Sequence, residues 1–450
     1  MNDFQKAYEA KLTTAEEAVK LVKSGDWLDY ALGLNVPNLL DKALAARAEE
    51  LDDINIRGLL VFHPLDIYAA NDRVSRRVFT FNSWHFGGLE RKLAKTGYVY
   101  HIPFRYSEAP VYYRNPEEVE RVDVLFLQTG TMDKFGYFNL GGSNSHIMDI
   151  VRRASHIVVE ENPNMPYVAG LFDDSLHIDQ VDYVVHSELP MDTLPDAKSS
   201  ETDMEIAKLV MKEIFDGATI QLGIGGMPNA VGNMVAESDL KDLGIHTEMY
   251  VNSMMKMSKA GMITGLKKNR DRGKQVFGFA AGSQELYDYM DHNPQFANAP
   301  TDYVNSPSVI ASFDNFISIN TALGVDLYGQ ISAESAGFRQ ISGTGGQLDF
   351  VMGAYMSKGG KSIIALSSTH TDKNGEKHSQ ILPYFTPGTA ITVPRTVVQC
   401  VATEYGMVNL KGKSLWQRSE ALISLAHPDF REELIAAAEA QGIWRNSNKR

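Results

Sequence analysis

Ala218-Thr219-Ile220-Gln221-Leu222-Gly223-Ile224-Gly225-Gly226-Met227-Pro228-Asn229-Ala230-Val231 reads as a short apolar strand that turns on glycines into the start of a helix. Gly217 closes the helix before it. Glycines let a backbone turn tightly and approach a ligand closely. Pro228 fits the first turn of a helix, where a missing N–H costs nothing. Unpaired N–H groups at such a start suit a phosphate, a carboxylate or a developing oxyanion. Alone, the pattern is equally a plain strand–helix turn. Its weight comes from a second copy. Gly25 is followed by the apolar stretch Trp27–Leu32, then Gly33, then Pro37-Asn38. Gly217 is followed by Thr219–Leu222, then Gly225, then Pro228-Asn229. The offset is 192 residues from Gly25 to Gly217 and 191 from Pro37 to Pro228.

The likeness continues. Asp133–Asn139 precedes a helix over Ser145–Ala154 and a strand over His156–Glu160, and Asp326–Ser332 precedes a helix at Gly353–Ser357 and a strand at Ser362–Leu366. Self-similarity of this length indicates duplication of a whole domain. Each half alternates short β-branched strands with helical segments, which predicts an α/β fold of two similar open domains with largely parallel sheets. Pro190 and Pro195 mark the boundary, giving domains 1–195 and 196–450, the second carrying Glu248. Residues 3–24 read as an amphipathic helix, with Thr14 and Glu17 as a capping box for the helix Ala15–Lys23. Arg105–Glu120 reads as an irregular loop. The basic run Leu266–Lys274 is either a solvated turn or an anchor for phosphates.

The chain has 450 residues, 44% hydrophobic and 22% charged, with a formal net charge of −13. That acidity speaks against nucleic acid or an anionic membrane surface as partner. One cysteine, Cys400, excludes an internal disulfide and cysteine-based zinc motifs. The polar start, MNDFQKAYEAKL, has no signal-peptide core, and no apolar run is long enough to span a bilayer. The expectation is a cytoplasmic protein. His370, His378 and His427 lack metal-ligand spacing, so no metal is expected. There is no Gly-x-Ser-x-Gly elbow and no P-loop, and Pro228 occupies the sixth position of a dinucleotide fingerprint.

Glu248 lies on the apolar run Ile245–Met249. A carboxylate on a buried strand is costly unless it is used or paired. It is either a nucleophile or general base tuned by its surroundings, or an edge-strand residue facing water. A second glycine loop, Gly343–Phe350, also leads into a helix and suits oxyanion donors.

Taken in order, these motifs resemble the acetyl-CoA hydrolase/transferase group of class I CoA-transferases, in the branch of butyryl-CoA:acetate and 4-hydroxybutyrate CoA-transferases. The match covers nearly the whole chain: Met132–Phe138, Glu161–Pro166, Gly223–Val231, Ile245–Met249, Asn320–Leu323, Val325–Gly329, Gly343–Phe350, Thr403–Gly406 and His427–Arg431. The resemblance implies two open α/β domains of the CoA-transferase-like, NagB/RpiA type. It implies that Glu248 is the catalytic glutamate and that Gly223, Ile224, Gly225, Gly226 and Met227 form a CoA-binding loop. It implies oxyanion donors at Met227 and Gly343, CoA contacts at Asn320 and Gly343, and a further active-site asparagine at Asn305. Coenzyme A enters as substrate, with no permanently bound cofactor. The implied partners are acyl-CoA and short-chain carboxylates, in a homo-oligomer.

The implied reaction moves CoA from a short-chain acyl-CoA, butyryl-CoA foremost, to acetate through a glutamyl-CoA thioester. The alternatives are 4-hydroxybutyrate as acyl group, acetyl-CoA hydrolysis, or an acyl-CoA-binding module without catalysis. Two departures stand out. Tyr250-Val251-Asn252-Ser253 follows the glutamate where many relatives have Ser-Asp-Gly. Ser368-Thr369-His370-Thr371 replaces Ser-Thr-Ala-Lys, leaving Lys373 as the nearest lysine.

Overall fold

The computed structural model describes residues 3–445. Two compact units result. One comprises Met1–Pro195 with Glu248–Asn252 and Val276–Val304; the other comprises Asp196–Thr247, Ser253–Gln275 and Asn305–Arg450. The longest segment of the first unit ends at Pro195. The glutamate segment and the stretch after Gln275, which follow that boundary in sequence, pack in the first unit.

The first unit holds an eight-stranded sheet. Its order is Leu12–Thr13, Tyr183–His186, Ala154–Glu161, Val122–Thr129, Trp27–Leu32, Ile54–Leu59, Phe79–Ser83, Val99–His101. All seven pairings are parallel. Parallel strands are covered on both faces, so they read as continuous apolar runs. Val122–Thr129 shows this: Val124 through Gln128 are all buried.

In the second unit the strands Cys400–Thr403, Lys361–Ala365, Phe316–Thr321, Thr219–Leu222 and the start of Gly244–Tyr250 are neighbours in that order, all parallel. This is the order of Tyr183–His186, Ala154–Glu161, Val122–Thr129, Trp27–Leu32 and Ile54–Leu59 in the first unit. The duplicated α/β fold expected from the sequence is therefore present strand by strand.

Three local expectations change. Residues 3–24 are not one helix: Asp3–Lys11 is followed by the strand Leu12–Thr13, which pairs with Val184-Val185, and a new helix starts at Ala15. Thr14 restarts it, its hydroxyl accepting the Glu17 N–H at 3.3 Å. Arg105–Glu120 is not irregular either. It contains a 3-10 turn, Tyr106–Glu108, and the helix Ala109–Arg114, with Pro110 in its first turn. The helix is pinned from beneath, because the Tyr113 hydroxyl donates to Asp29 at 2.6 Å and Asp29 is paired with buried Arg57. In the basic run, Lys268 is buried and donates to the Ile245 and Lys274 carbonyls at 3.0 and 2.7 Å. Burial pushes its ammonium pKa down to about 8, so it is a structural strut and not a solvated cation.

Among the described residues no helix is long and apolar enough to cross a membrane.

Candidate active site

In open parallel sheets ligands bind beyond the carboxyl ends of the strands. In the second unit, the predicted glycine loop leaves Thr219–Leu222 at that end and enters the helix Gly226–Ala236. Gly225 has φ 120° and ψ 179°, a region open to glycine alone. The side chains of the first turn provide no cap, and Pro228 has no N–H. Asn229 N–H bonds back to the Gly225 carbonyl at 3.1 Å. Helix geometry therefore leaves the Gly226 and Met227 N–H groups without an intrahelical acceptor. Met227 itself is buried and Ile224 is exposed. Gly226 is fixed from behind, since a methyl group there would lie 2.7 Å from the Lys198 carbonyl and the Asp203 carboxylate.

Asn320 stands at the end of the neighbouring strand Phe316–Thr321. Its amide exchanges hydrogen bonds with Gln221 (3.2 and 3.3 Å) and donates to Ser318 at 2.9 Å. Its Oδ1 would touch a Cβ placed on Gly223 at 3.4 Å, an ordinary contact. The predicted loop and the predicted asparagine are thus brought together, with Gln221, which the sequence reading passed over, as the link. The Gly343 loop precedes the helix Gln347–Met356, and Gln347 Nε2 donates to the Thr321 carbonyl at 3.0 Å. Glu334 holds this loop. Its carboxylate accepts from Thr344 at 2.9 Å and Thr392 at 3.1 Å, and its carbonyl accepts the Ile341 and Ser342 N–H groups. No motif pointed to Glu334, because its partners are scattered over the loop and, at Thr392, 58 residues further on. Glu404, inside the Thr-Glu-Tyr-Gly motif, accepts from the Ser368 hydroxyl at 2.5 Å and the Ser368 N–H at 3.0 Å.

The first unit offers a contrast. Its counterpart helix, Leu39–Ala46, has its start filled by the protein itself. Buried Glu160 accepts the N–H groups of Asn38 and Leu40, each at 3.1 Å.

Glu248 lies in the first unit, partly buried near the end of the strand Gly244–Tyr250. His246 is buried, its ring 4.7 Å from that of Phe313. The segment after the glutamate is clamped. Asn252 Oδ1 accepts from the Ser283 N–H and hydroxyl (2.9 and 3.1 Å), and the Ala281 N–H donates to the Tyr250 carbonyl at 3.1 Å. Tyr287 joins this clamp to the inter-repeat segment, accepting the Gly282 N–H and donating to the Asp192 carbonyl at 2.9 Å. His63 Nδ1 meets the Asp192 carboxylate at 2.7 Å. Glu248 also bears electrostatically on buried Tyr106, another residue no motif pointed to.

Asn305 is fully buried between the helices Thr301–Val304 and Pro307–Ala311. Among the described residues one group has the donors of a metal site, Asp372, Glu376 and His378. It sits on a hairpin whose turn Asp372 already closes, accepting the Asn374 and Glu376 N–H groups at 2.9 Å each. Lys373 is exposed in the same turn.

Comparison with known proteins bears on the whole chain. The acetyl-CoA hydrolase/transferase N-terminal domain model matches residues 1–195 and the C-terminal domain model matches 282–438. The chain is similar to butyryl-CoA:acetate CoA-transferase of Anaerostipes caccae, at 54% identity over 99% of this chain and all of that one. It is similar to 4-hydroxybutyrate coenzyme A transferase of Clostridium kluyveri at 38% identity, over 96% of this chain and 98% of that one. Among solved structures, RipA from Yersinia pestis superposes with a TM-score of 0.88 at 35% identity, over 98% of this chain and all of that one.

Proposed function

Since the chain belongs to the acetyl-CoA hydrolase/transferase family, we propose that it is a short-chain acyl-CoA:carboxylate CoA-transferase exchanging CoA between butyryl-CoA and acetate. The observation that carries the substrate pair is 54% identity along the full length of a relative named for it, against 38% for the relative named for 4-hydroxybutyrate.

In this reading Glu248 is the nucleophile. Its carboxylate attacks the thioester carbonyl, the C–S bond breaks, and CoA thiolate leaves behind a mixed glutamyl–butyryl anhydride. The thiolate then attacks the glutamyl carbonyl, butyrate departs, and a glutamyl-CoA thioester remains. Acetate enters and the steps run in reverse, releasing acetyl-CoA and restoring the carboxylate. One thioester replaces another, so no external energy source is required. Each attack passes through an oxyanion, for which we assign the N–H groups of Met227 and Gly343. Loss of one such donor costs about 3 kcal/mol of barrier. Asn320 and the loop Gly223–Met227 are assigned to CoA, and Asn305 stays a candidate active-site residue. Water must be kept from the anhydride, and binding energy from the distant parts of CoA helps to reach the transition state. We further read the protein as cytoplasmic and homo-oligomeric, working without a permanently bound cofactor or metal.

The test is intact mass after incubation with butyryl-CoA and no acceptor, followed by borohydride reduction and peptide mapping. The expected result is modification of Glu248 in the wild type and none, with no turnover, in Glu248→Ala. Steady release of CoA from an unmodified enzyme would replace the transferase reading by hydrolysis.

A further inference from the structure

Gln221 and Ser318 stand side by side, in register, on the parallel strands Thr219–Leu222 and Phe316–Thr321. Asn320 is two residues beyond Ser318, so its side chain leaves the same face of the sheet. All three residues are buried. Their side chains form a closed set of hydrogen bonds. The Ser318 hydroxyl donates to Gln221 Oε1 at 2.7 Å and accepts from Asn320 Nδ2 at 2.9 Å. Gln221 Nε2 donates to Asn320 Oδ1 at 3.2 Å, and Asn320 Nδ2 donates back to Gln221 Oε1 at 3.3 Å.

Bond lengths set which way the two amides face. O–H···O bonds centre on about 2.7 Å and N–H···O bonds on about 2.9 Å. Turning both amides over would make the 2.7 Å bond an N–H bond and the 2.9 Å bond an O–H bond, against both preferences. Asn320 Nδ2 therefore uses both of its protons inside the set. Its Oδ1 accepts one bond there, and an amide oxygen has two lone pairs. Oδ1 also borders the notch over Gly223, where a methyl group would lie 3.4 Å from it. The notch opens outward, because Gly223 is partly exposed and Ile224 and Gly225 are exposed. The Gly223 N–H is already taken by the Ile319 carbonyl at 2.8 Å. What Asn320 offers a ligand in the notch is thus an acceptor.

We propose that Gln221 and Ser318 are positioning residues that hold Asn320 Oδ1 toward the notch, as the acceptor for an amide N–H of the pantetheine arm of CoA. This rests on the reading of Asn320 and the loop Gly223–Met227 as CoA contacts. Phosphate oxygens and a thioester carbonyl only accept, so an amide oxygen turns them away. The pantetheine arm carries two amide N–H groups. It also adjoins the thioester, whose oxyanion is assigned to Met227, four residues along the same loop.

Calorimetry with CoA itself tests the proposal, because free CoA binds without an acyl group to transfer. Two CoA analogues complete the set, each with one pantetheine amide replaced by an ester, which keeps the carbonyl and removes the N–H. Wild type is expected to bind one of the two about 5- to 10-fold more weakly than CoA. Gln221→Met and Ser318→Ala are expected to bind CoA about 5-fold more weakly than wild type does. They are expected to bind CoA and that analogue alike, within about twofold, because the acceptor is no longer held in place. A merely structural role would weaken CoA and analogue together and leave their ratio as in wild type, and that result overturns the proposal. Should Gln221→Met fail to fold, the ratio in Ser318→Ala decides. Equal binding of CoA and both analogues by wild type overturns the acceptor role and leaves the CoA reading in place. Wild type that binds no CoA overturns that reading, and this proposal falls with it.

Discussion

Three glycines of one loop differ in what the backbone demands of them. Gly225 needs its φ of 120°, Gly226 has no room for a side chain, and Gly223 has room for a methyl group at ordinary contact distance from Asn320. Backbone cost therefore separates them. Gly225→Ala is expected to destabilise the second unit by about 1–3 kcal/mol. Gly223→Ala is expected to leave the melting temperature unchanged and to weaken CoA binding only, if CoA approaches that backbone. Melting curves with and without CoA check both, and equal melting temperatures for the two variants would contradict the backbone argument. The glycines were legible in sequence because turn chemistry is local. Tyr106 was not, because the fold brings it under the charge of Glu248 from more than a hundred residues away. Nothing in the residues around 106 marks that neighbourhood.

Among elements, the informative pair is the two helices that begin after equivalent strands. One repeat fills the helix start with Glu160; the other leaves the Gly226 and Met227 N–H groups without an intrahelical partner. A helix start attracts negative charge. The duplication has thus kept one start as a structural joint, and the other has the geometry an anionic ligand or oxyanion requires. Burial raises the Glu160 pKa, so its charge is itself costly; Glu160→Gln is expected to cost about 1–3 kcal/mol because the amide keeps one acceptor oxygen where two now take up backbone N–H groups. Urea unfolding would read this, and an unchanged midpoint would show that Glu160 does not support the helix. Element type was largely legible here because the strand–glycine–helix pattern repeats. Element boundaries were less so. The break after Lys11 and the helix Ala109–Arg114 depend on partners at Val184-Val185 and Asp29 that no local pattern announces.

At the scale of the molecule, the fold was readable because a duplicated α/β unit writes its strand order twice. The response of that fold to acid was not, because it depends on which histidines burial keeps neutral. His146 is buried, stacked on Tyr113 at 5.5 Å and bonded at Nδ1 to Ser145. Burial lowers its pKa from 6.5 to about 4, outweighing the charges of Asp29 and Asp149. In the unfolded chain it takes up a proton as pH falls through about 6.5, while the folded chain resists until about 4. Its contribution is therefore complete above pH 6.5 and is lost on acidification, up to about 3 kcal/mol by pH 4. His63 has the opposite sign. Burial pulls its pKa down, but the bond to Asp192 and that carboxylate's charge raise it overall, so its pair is strongest below 6.5 and weakens as pH rises. Carboxylates with ordinary values protonate mostly below this window. Urea midpoints of wild type and His146→Gln, compared at about pH 7.5 and 5, isolate the His146 contribution. The wild type is expected to lose more stability between them than the variant. Equal losses would mean that His146 is charged in the folded protein, and the imidazole beside Ser145 would then donate from both nitrogens.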